Sequence, residues 1–181
     1  MVATSVAGVS SGNRFLRRVG PERENIAVTE LDSVDRAILA ALGAEGRISN
    51  VALAAKVHLS PSACLRRVRR LEEAGVIDGY AAVITPAKIG KPTSVFVDIS
   101  LSSQREDLLD AFEEAVSEVP GVMSCHLMAG DADYLVQILC ADVEDYERIH
   151  RTYLSRLPGV TRLRSSFALR TVCAKPAYEL E

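Results

Sequence analysis

The run 65–71 reads LRRVRRL, four arginines (Arg66, Arg67, Arg69 and Arg70) with no acidic residue among them. A guanidinium is planar, permanently charged and forked, so it grips phosphate oxygens or meets the O6 and N7 edge of guanine with two parallel hydrogen bonds. The other reactive residue types form no comparable constellation. Cys64, Cys125, Cys140 and Cys173 stand far apart, with no C-x-x-C pair and no histidine at ligand spacing. Neither a zinc site nor a disulfide framework is indicated, and the cysteines are expected to be small buried hydrophobes. No metal and no catalytic group is expected.

The elements around the arginines decide what they can do. The 181 residues carry a formal net charge of −3, and 48% are hydrophobic, enough for one or two small domains with real cores. The charge is unevenly spread: residues 31–75 hold seven Lys/Arg against five Asp/Glu, and residues 76–181 hold ten against sixteen. The positive charge is therefore local. Residues 1–28 are small and polar without sustained period and are expected to form a disordered leader. From Thr29 a capping box (Thr29, Asp32) opens a helix with Leu31, Val34, Ile38, Leu39 and Leu42 on one face, ended by Gly43 and Gly46. A second short helix follows Ser49 and breaks near His58. Ser60 as N-cap and Pro61 at the first helical position start a third, running to Gly75.

On a wheel of roughly 100° per residue, Ser62, Ala63, Arg66, Arg67, Arg69 and Arg70 of the third helix share one arc, while Cys64, Leu65, Val68 and Leu71 with Pro61 occupy the other. Small residues at the entering end followed by arginines suit a recognition helix in a major groove. A solvated basic face would mix in glutamates at i+4, and here acids appear only at Glu72 and Glu73. The expectation is a helix-turn-helix DNA-binding unit over 29–79, with a hinge strand over 80–91.

The period then changes. Val95, Val97, Ile99 and Leu101 alternate as in a half-buried strand. A helix follows with Leu108, Leu109, Phe112, Val116 and Val119 inward and Glu113 among the outward acids. Next come a strand from Val122, a turn at Gly130-Asp131-Ala132-Asp133, the strand YLVQILC, a helix capped by Asp142 that bears Val143, Tyr146, Ile149, Tyr153, Leu154 and Leu157, and a last strand through Leu163, Phe167 and Leu169. EVPGVMSCHL and RLPGVTRLRS occupy equivalent places, each helix, Pro-Gly-Val, strand. Such an echo indicates a ferredoxin-like βαββαβ sheet over 92–181 with helices on one side, an α+β fold overall. The uncovered face predicts a dimer. No apolar run approaches the ~18 residues that span a bilayer, and Gly12, Asn13 and three arginines stand where a signal peptide has its apolar core, so a cytoplasmic location is expected.

These pieces, in order over 31–180, resemble the Lrp/AsnC family of transcriptional regulators: LDSVDRAIL, GRISNVALAAKV, LSPSACLRRVRRLEEAGVIDGY, CHLMAGDADYLV and LPGV. The resemblance implies a winged helix-turn-helix hinged to an α/β ligand-sensing domain that dimerises and assembles further, to octamers or other rings. It implies double-stranded DNA as partner and an amino-acid effector, leucine or another small amino acid, between dimers near Met128, Ala129, Gly130, Asp131, Asp133 and Tyr134. A free amino acid needs a carboxylate for its ammonium and donors for its carboxylate; Gly130 permits close approach, and Asp131 or Asp133 could hold the ammonium. Plain hairpin chemistry also explains Gly-Asp-x-Asp. On DNA, Ser60, Ser62, Ala63, Arg66, Arg67, Arg69 and Arg70 would face the duplex, and Ser49 and Asn50 would meet phosphate through backbone N–H groups. One departure is His58, where relatives carry glycine. The architecture also resembles sirohaem decarboxylases, which would need His or Arg clustered in the second domain, and a DNA-packing protein without defined operators is a third possibility.

Overall fold

The computed structural model describes residues 30–173; Thr29 and the expected leader lie outside them. Helix α1 (Ser33–Ala44) is started by a reciprocal box in which the Asp32 side chain accepts from the Asp35 N–H and the Asp35 side chain accepts from the Asp32 N–H. The expected Thr29–Asp32 box is thus displaced by three residues. Gly43 lies inside the last turn rather than ending the helix. Helix α2 (Asn50–Lys56) is capped by Ser49, and helix α3 (Pro61–Glu73) by Ser60 with Pro61 in the first turn. Ile38, Leu53, Ala54, Cys64, Val68 and Leu71 close the core of this three-helix unit. Each fully buried aliphatic side chain contributes about 1.5–3 kcal/mol.

His58 in the turn before α3 has φ 55, the one positive-φ residue other than glycine among the described residues. The turn therefore sits in the left-handed region that costs an ordinary side chain about 1–2 kcal/mol. Residues 78–85 form no helix or strand, with Tyr80, Val83 and Ile84 exposed, and Pro86–Ile89 make a 3-10 turn, so the hinge strand expected over 80–91 is absent among the described residues.

The second unit is a four-stranded antiparallel sheet of β1 (Thr93–Leu101), β2 (Val122–Leu127), β3 (Tyr134–Cys140) and β4 (Val160–Phe167) in the order β2-β3-β1-β4. Helices α4 (Glu106–Ser117) and α5 (Val143–Thr152) supply the crossovers. Val95, Val97 and Ile99 of β1 and Val136 and Ile138 of β3 pack with Phe112, Val116 and Ile149 in one core. Helix α5 is shorter than its apolar pattern suggested: Leu154 belongs to a separate 3-10 turn, and Val143 is exposed. Strand β4 stops at Phe167, and Leu169 is fully exposed. Cys64 and Cys140 are buried as expected, but Cys173 is exposed.

The two Pro-Gly-Val turns share one physical reason. Gly121 and Gly159 have φ 84 and 70, and a Cβ at Gly121 would stand 2.5 Å from the Leu139 carbonyl oxygen. Each turn leads a chain out of its crossover and tightly into a strand, which only glycine permits. The echo in the sequence is thus an echo in backbone geometry.

Candidate nucleic-acid interface and effector cavity

Helix α3 presents its arginines in two unequal pairs. Arg67 donates to Asp32 Oδ2 at 2.6 Å and to Asp35 Oδ1 at 2.9 Å, and Arg70 donates to Asp35 Oδ2. Arg66 and Arg69 are exposed and form no ion pair with another described residue. Counting acids along α3 alone missed this, because the partners come from α1. The Asp32 carboxyl is held down at about 2, first by the Asp35 N–H and then by the Arg67 guanidinium. Asp35 itself is completely buried.

The remaining predicted contacts lie near the start of α3. Ser62 is exposed and Ala63 half-buried, while the Ser60 Oγ accepts from the Ala63 N–H at 3.2 Å. The Ser49 Oγ caps α2 through the Ala52 N–H, and the Asn50 side chain donates to the Pro61 carbonyl at 2.8 Å. Asn50 thus ties the start of α2 to the start of α3. Leu65, expected on the core side, is 40% exposed. It lines a surface concavity of about 520 Å³ together with Ser62, Arg66, Arg67, Arg69, Arg70 and the acidic Glu73.

The second site lies on the open face of the sheet. Alternation along β1 sends Val97 and Ile99 under the helices and Asp98 and Ser100 to the other side. Register places Asp98 opposite Arg164 and Ser100 opposite Arg162 on β4. Beside this patch stands the loop 128–132, and between them lies a half-open cavity of about 390 Å³ lined by Asp98, Ser100, Met128, Ala129, Gly130, Asp131, Ala132, Arg162 and Arg164. Asp98, Asp131, Arg162 and Arg164 form no ion pair among the described residues. Two carboxylates and two guanidiniums therefore face one small volume without an ion pair among the described residues.

The structure separates the predicted loop residues. Met128, Ala129, Gly130 and Asp131 line the cavity, whereas Asp133 and Tyr134 do not. The Asp133 carboxylate accepts from the Leu101 N–H at 2.7 Å and from the Gln104 amide at 2.6 Å, tying the loop to the end of β1. Tyr134 is buried beneath the helices, its ring 4.4 Å from that of Phe112 and its hydroxyl donating to Glu113 at 2.8 Å. Burial foremost, then the Glu113 carboxylate, raises its pKa well above the usual phenol range. Glu113 accordingly is not wholly outward. The sequence reading missed Asp98, Ser100, Arg162 and Arg164; their alternation with Val97, Ile99 and Leu163 was visible, but the pairing of β1 with β4 was needed to join them. His126 on the exposed side of β2 and His150 on α5 do not converge, His150 instead lying 6.1 Å from the Tyr146 ring.

Comparison with known proteins adds the lineage. Residues 31–78 match the model described as winged helix-turn-helix DNA-binding, and residues 94–178 that of the Lrp/AsnC ligand binding domain. The Bkd operon transcriptional regulator of Pseudomonas aeruginosa is 43% identical over 153 residues, 84% of this chain and 100% of that protein. The leucine-responsive regulatory protein of Escherichia coli is 41% identical over 143 residues, 79% of this chain and 87% of that protein. A transcriptional regulator of Neisseria meningitidis, solved in complex with L-methionine, superposes with a TM-score of 0.78 at 33% identity, over 83% of this chain and 97% of that one. With sequence, both domain models and fold agreeing over most of its length, the chain belongs to the Lrp/AsnC family of transcriptional regulators.

Proposed function

We propose that this chain is an amino-acid-responsive transcriptional regulator of the cytoplasm that docks α3 in the major groove and takes its effector in the cavity beneath the loop 128–132. The observation that carries the reading is the capped helix α3 with Cys64, Val68 and Leu71 sealed in the core and Arg66 and Arg69 exposed, without an ion pair among the described residues, on the other side. Ser62 at the entering end leaves room for base edges, and the two arginines supply phosphate or guanine contacts. Ser49, Asn50, Ser60 and Ala63 shape and fix that end of the interface. Relatives solved with L-methionine support an amino-acid effector.

In the cavity, Arg162 and Arg164 suit the effector carboxylate, and Asp98 or Asp131 the ammonium. The side chain of the effector would lie toward Met128 and Ala129, which suits a small apolar amino acid such as leucine or methionine. A second copy of the chain packs on the part of the open sheet face beside the cavity, where Phe96 is 37% exposed, and lies along the exposed Tyr80, Val83 and Ile84. Dimers assemble further into an octamer or another ring. Two recognition helices then reach successive major grooves about 34 Å apart.

Footprinting with and without each of the twenty amino acids tests the whole reading. Defined operators whose protection changes with one or a few amino acids are expected. Uniform coverage would instead indicate a DNA-packing protein, and no binding at all would reject the proposal. Light scattering on the purified protein should give a dimer or a multiple of it; a monomer at micromolar concentration would remove the assembly from the proposal.

A further inference from the structure

Asp35 is the only fully buried charged residue among the described residues. A carboxylate without water is retained only if its oxygens are paired, and the partners here are two arginines of the helix proposed to read DNA. Arg67 lies between Asp35 and Asp32, with its side chain 28% exposed, and Arg70 reaches Asp35 from one turn further on. On the wheel of α3 these two point toward α1. Arg66, Arg69, Ser62 and the 40% exposed Leu65 form a neighbouring strip rotated away from it. The arc of four arginines is therefore two pairs on one surface, Arg67 and Arg70 tied to carboxylates at the start of α1 and Arg66 and Arg69 without an ion pair among the described residues.

We propose that Asp35, assisted by Asp32, is a positioning residue for DNA recognition: it withholds Arg67 and Arg70 from the phosphate backbone and directs the duplex onto the strip Ser62, Leu65, Arg66 and Arg69. The inference rests on the assignment of α3 as the DNA-contacting helix. Every guanidinium that neutralises a phosphate raises affinity for all sequences alike, with a salt slope of about 0.9 per contact. Two further free arginines would strengthen non-specific binding without adding sequence information. Committing them to Asp35 keeps α3 seated on α1 and leaves an outward strip in which an apolar group, Leu65, can meet a thymine methyl beside arginines that can meet guanine.

The test is a salt titration of the full-length protein on operator and on unrelated duplex. Arg66→Gln and Arg69→Gln should each flatten the log–log slope by about 0.9 per recognition helix where the side chain holds phosphate, or weaken operator binding about 5- to 150-fold relative to unrelated duplex where it reads a base; if neither variant does either, the assignment of the helix face itself fails. Arg67→Gln and Arg70→Gln should leave the slope unchanged, and a fall of about one unit in either would overturn the withholding role. Asp32→Asn combined with Asp35→Asn should steepen the slope by about one to two units per helix and lower the ratio of operator to unrelated affinity. An unchanged slope in the folded double variant would also overturn it. Should that variant fail to fold by circular dichroism, the Arg67 and Arg70 variants decide alone, Arg70 being half-exposed and replaceable without opening the core.

Discussion

The α3 surface and the cavity on the sheet differ in how their charges are treated. On α3, two of four arginines are bound to carboxylates of the same chain before any partner arrives, one of them fully buried. In the cavity, two arginines and two aspartates face the same space without forming an ion pair among the described residues. Charges that are paired and dry hold a helix in place; charges that share a small volume yet remain unpaired are available to a ligand of mixed charge. Duplex DNA is uniformly anionic and binds to any free cation, so recognition benefits from limiting their number. An amino acid carries both signs, so its site benefits from keeping both.

The comparison is sharpest in the cavity. Arg162→Glu combined with Arg164→Glu should reduce effector affinity by about 100-fold or more, because the charge that meets the carboxylate is inverted. Isothermal calorimetry with the effector found by amino-acid screening reads this directly, and unchanged affinity would place the effector elsewhere. On α3, Arg66→Ala should weaken operator binding by about 1–3 kcal/mol if it reads a base, measured by gel shift against operators altered at single positions.

Between these two lies the loop. Asp133→Ala should lower stability by about 1–3 kcal/mol, through the loss of the bonds from Leu101 and Gln104, whereas Asp131→Ala should lower effector affinity and leave stability nearly intact. Thermal unfolding and calorimetry on the same two proteins distinguish them; the reverse pattern would exchange the two roles.

The α1 cap adds a pH dependence. Asp32 is held at about 2, below its ordinary 3.8, so its contribution is complete above that ordinary value and is lost as pH falls through the folded one. Far-ultraviolet circular dichroism from about pH 5 down to about 2 should show Asp32→Asn lacking this part of the acid transition. The smallest effect is expected at His58. Glycine there relieves the left-handed backbone but gains freedom when unfolded, leaving a net stabilisation of about 0.5 kcal/mol, visible as a small rise in Tm.

Much of this protein is readable along the chain because its elements are built by local rules. Ser60-Pro61 starts α3 where capping chemistry demands, alternation marks β1, and the two Pro-Gly-Val turns mark the entries to β2 and β4. The anticipated turn at His58 is likewise local, a matter of one backbone angle. The start of α1 is local too: Asp32 and Asp35 form the box three residues beyond the expected one, each side chain returning to the other's N–H.

What tertiary structure decided is which polar residues meet across the chain. Arg67 and Asp35 are 32 residues apart, and Asp98 and Arg164 are brought opposite each other only by the pairing of β1 with β4. A helical wheel shows which way a side chain leaves its own helix and cannot show what stands there. Periodicity therefore determined the folds of both units and pointed to both candidate sites, while the commitment of Arg67 and Arg70, the hydrogen bonds of Asp133, and the four charges of the cavity followed from long-range packing, since an electrostatic partner is defined by distance in space and not by distance along the sequence.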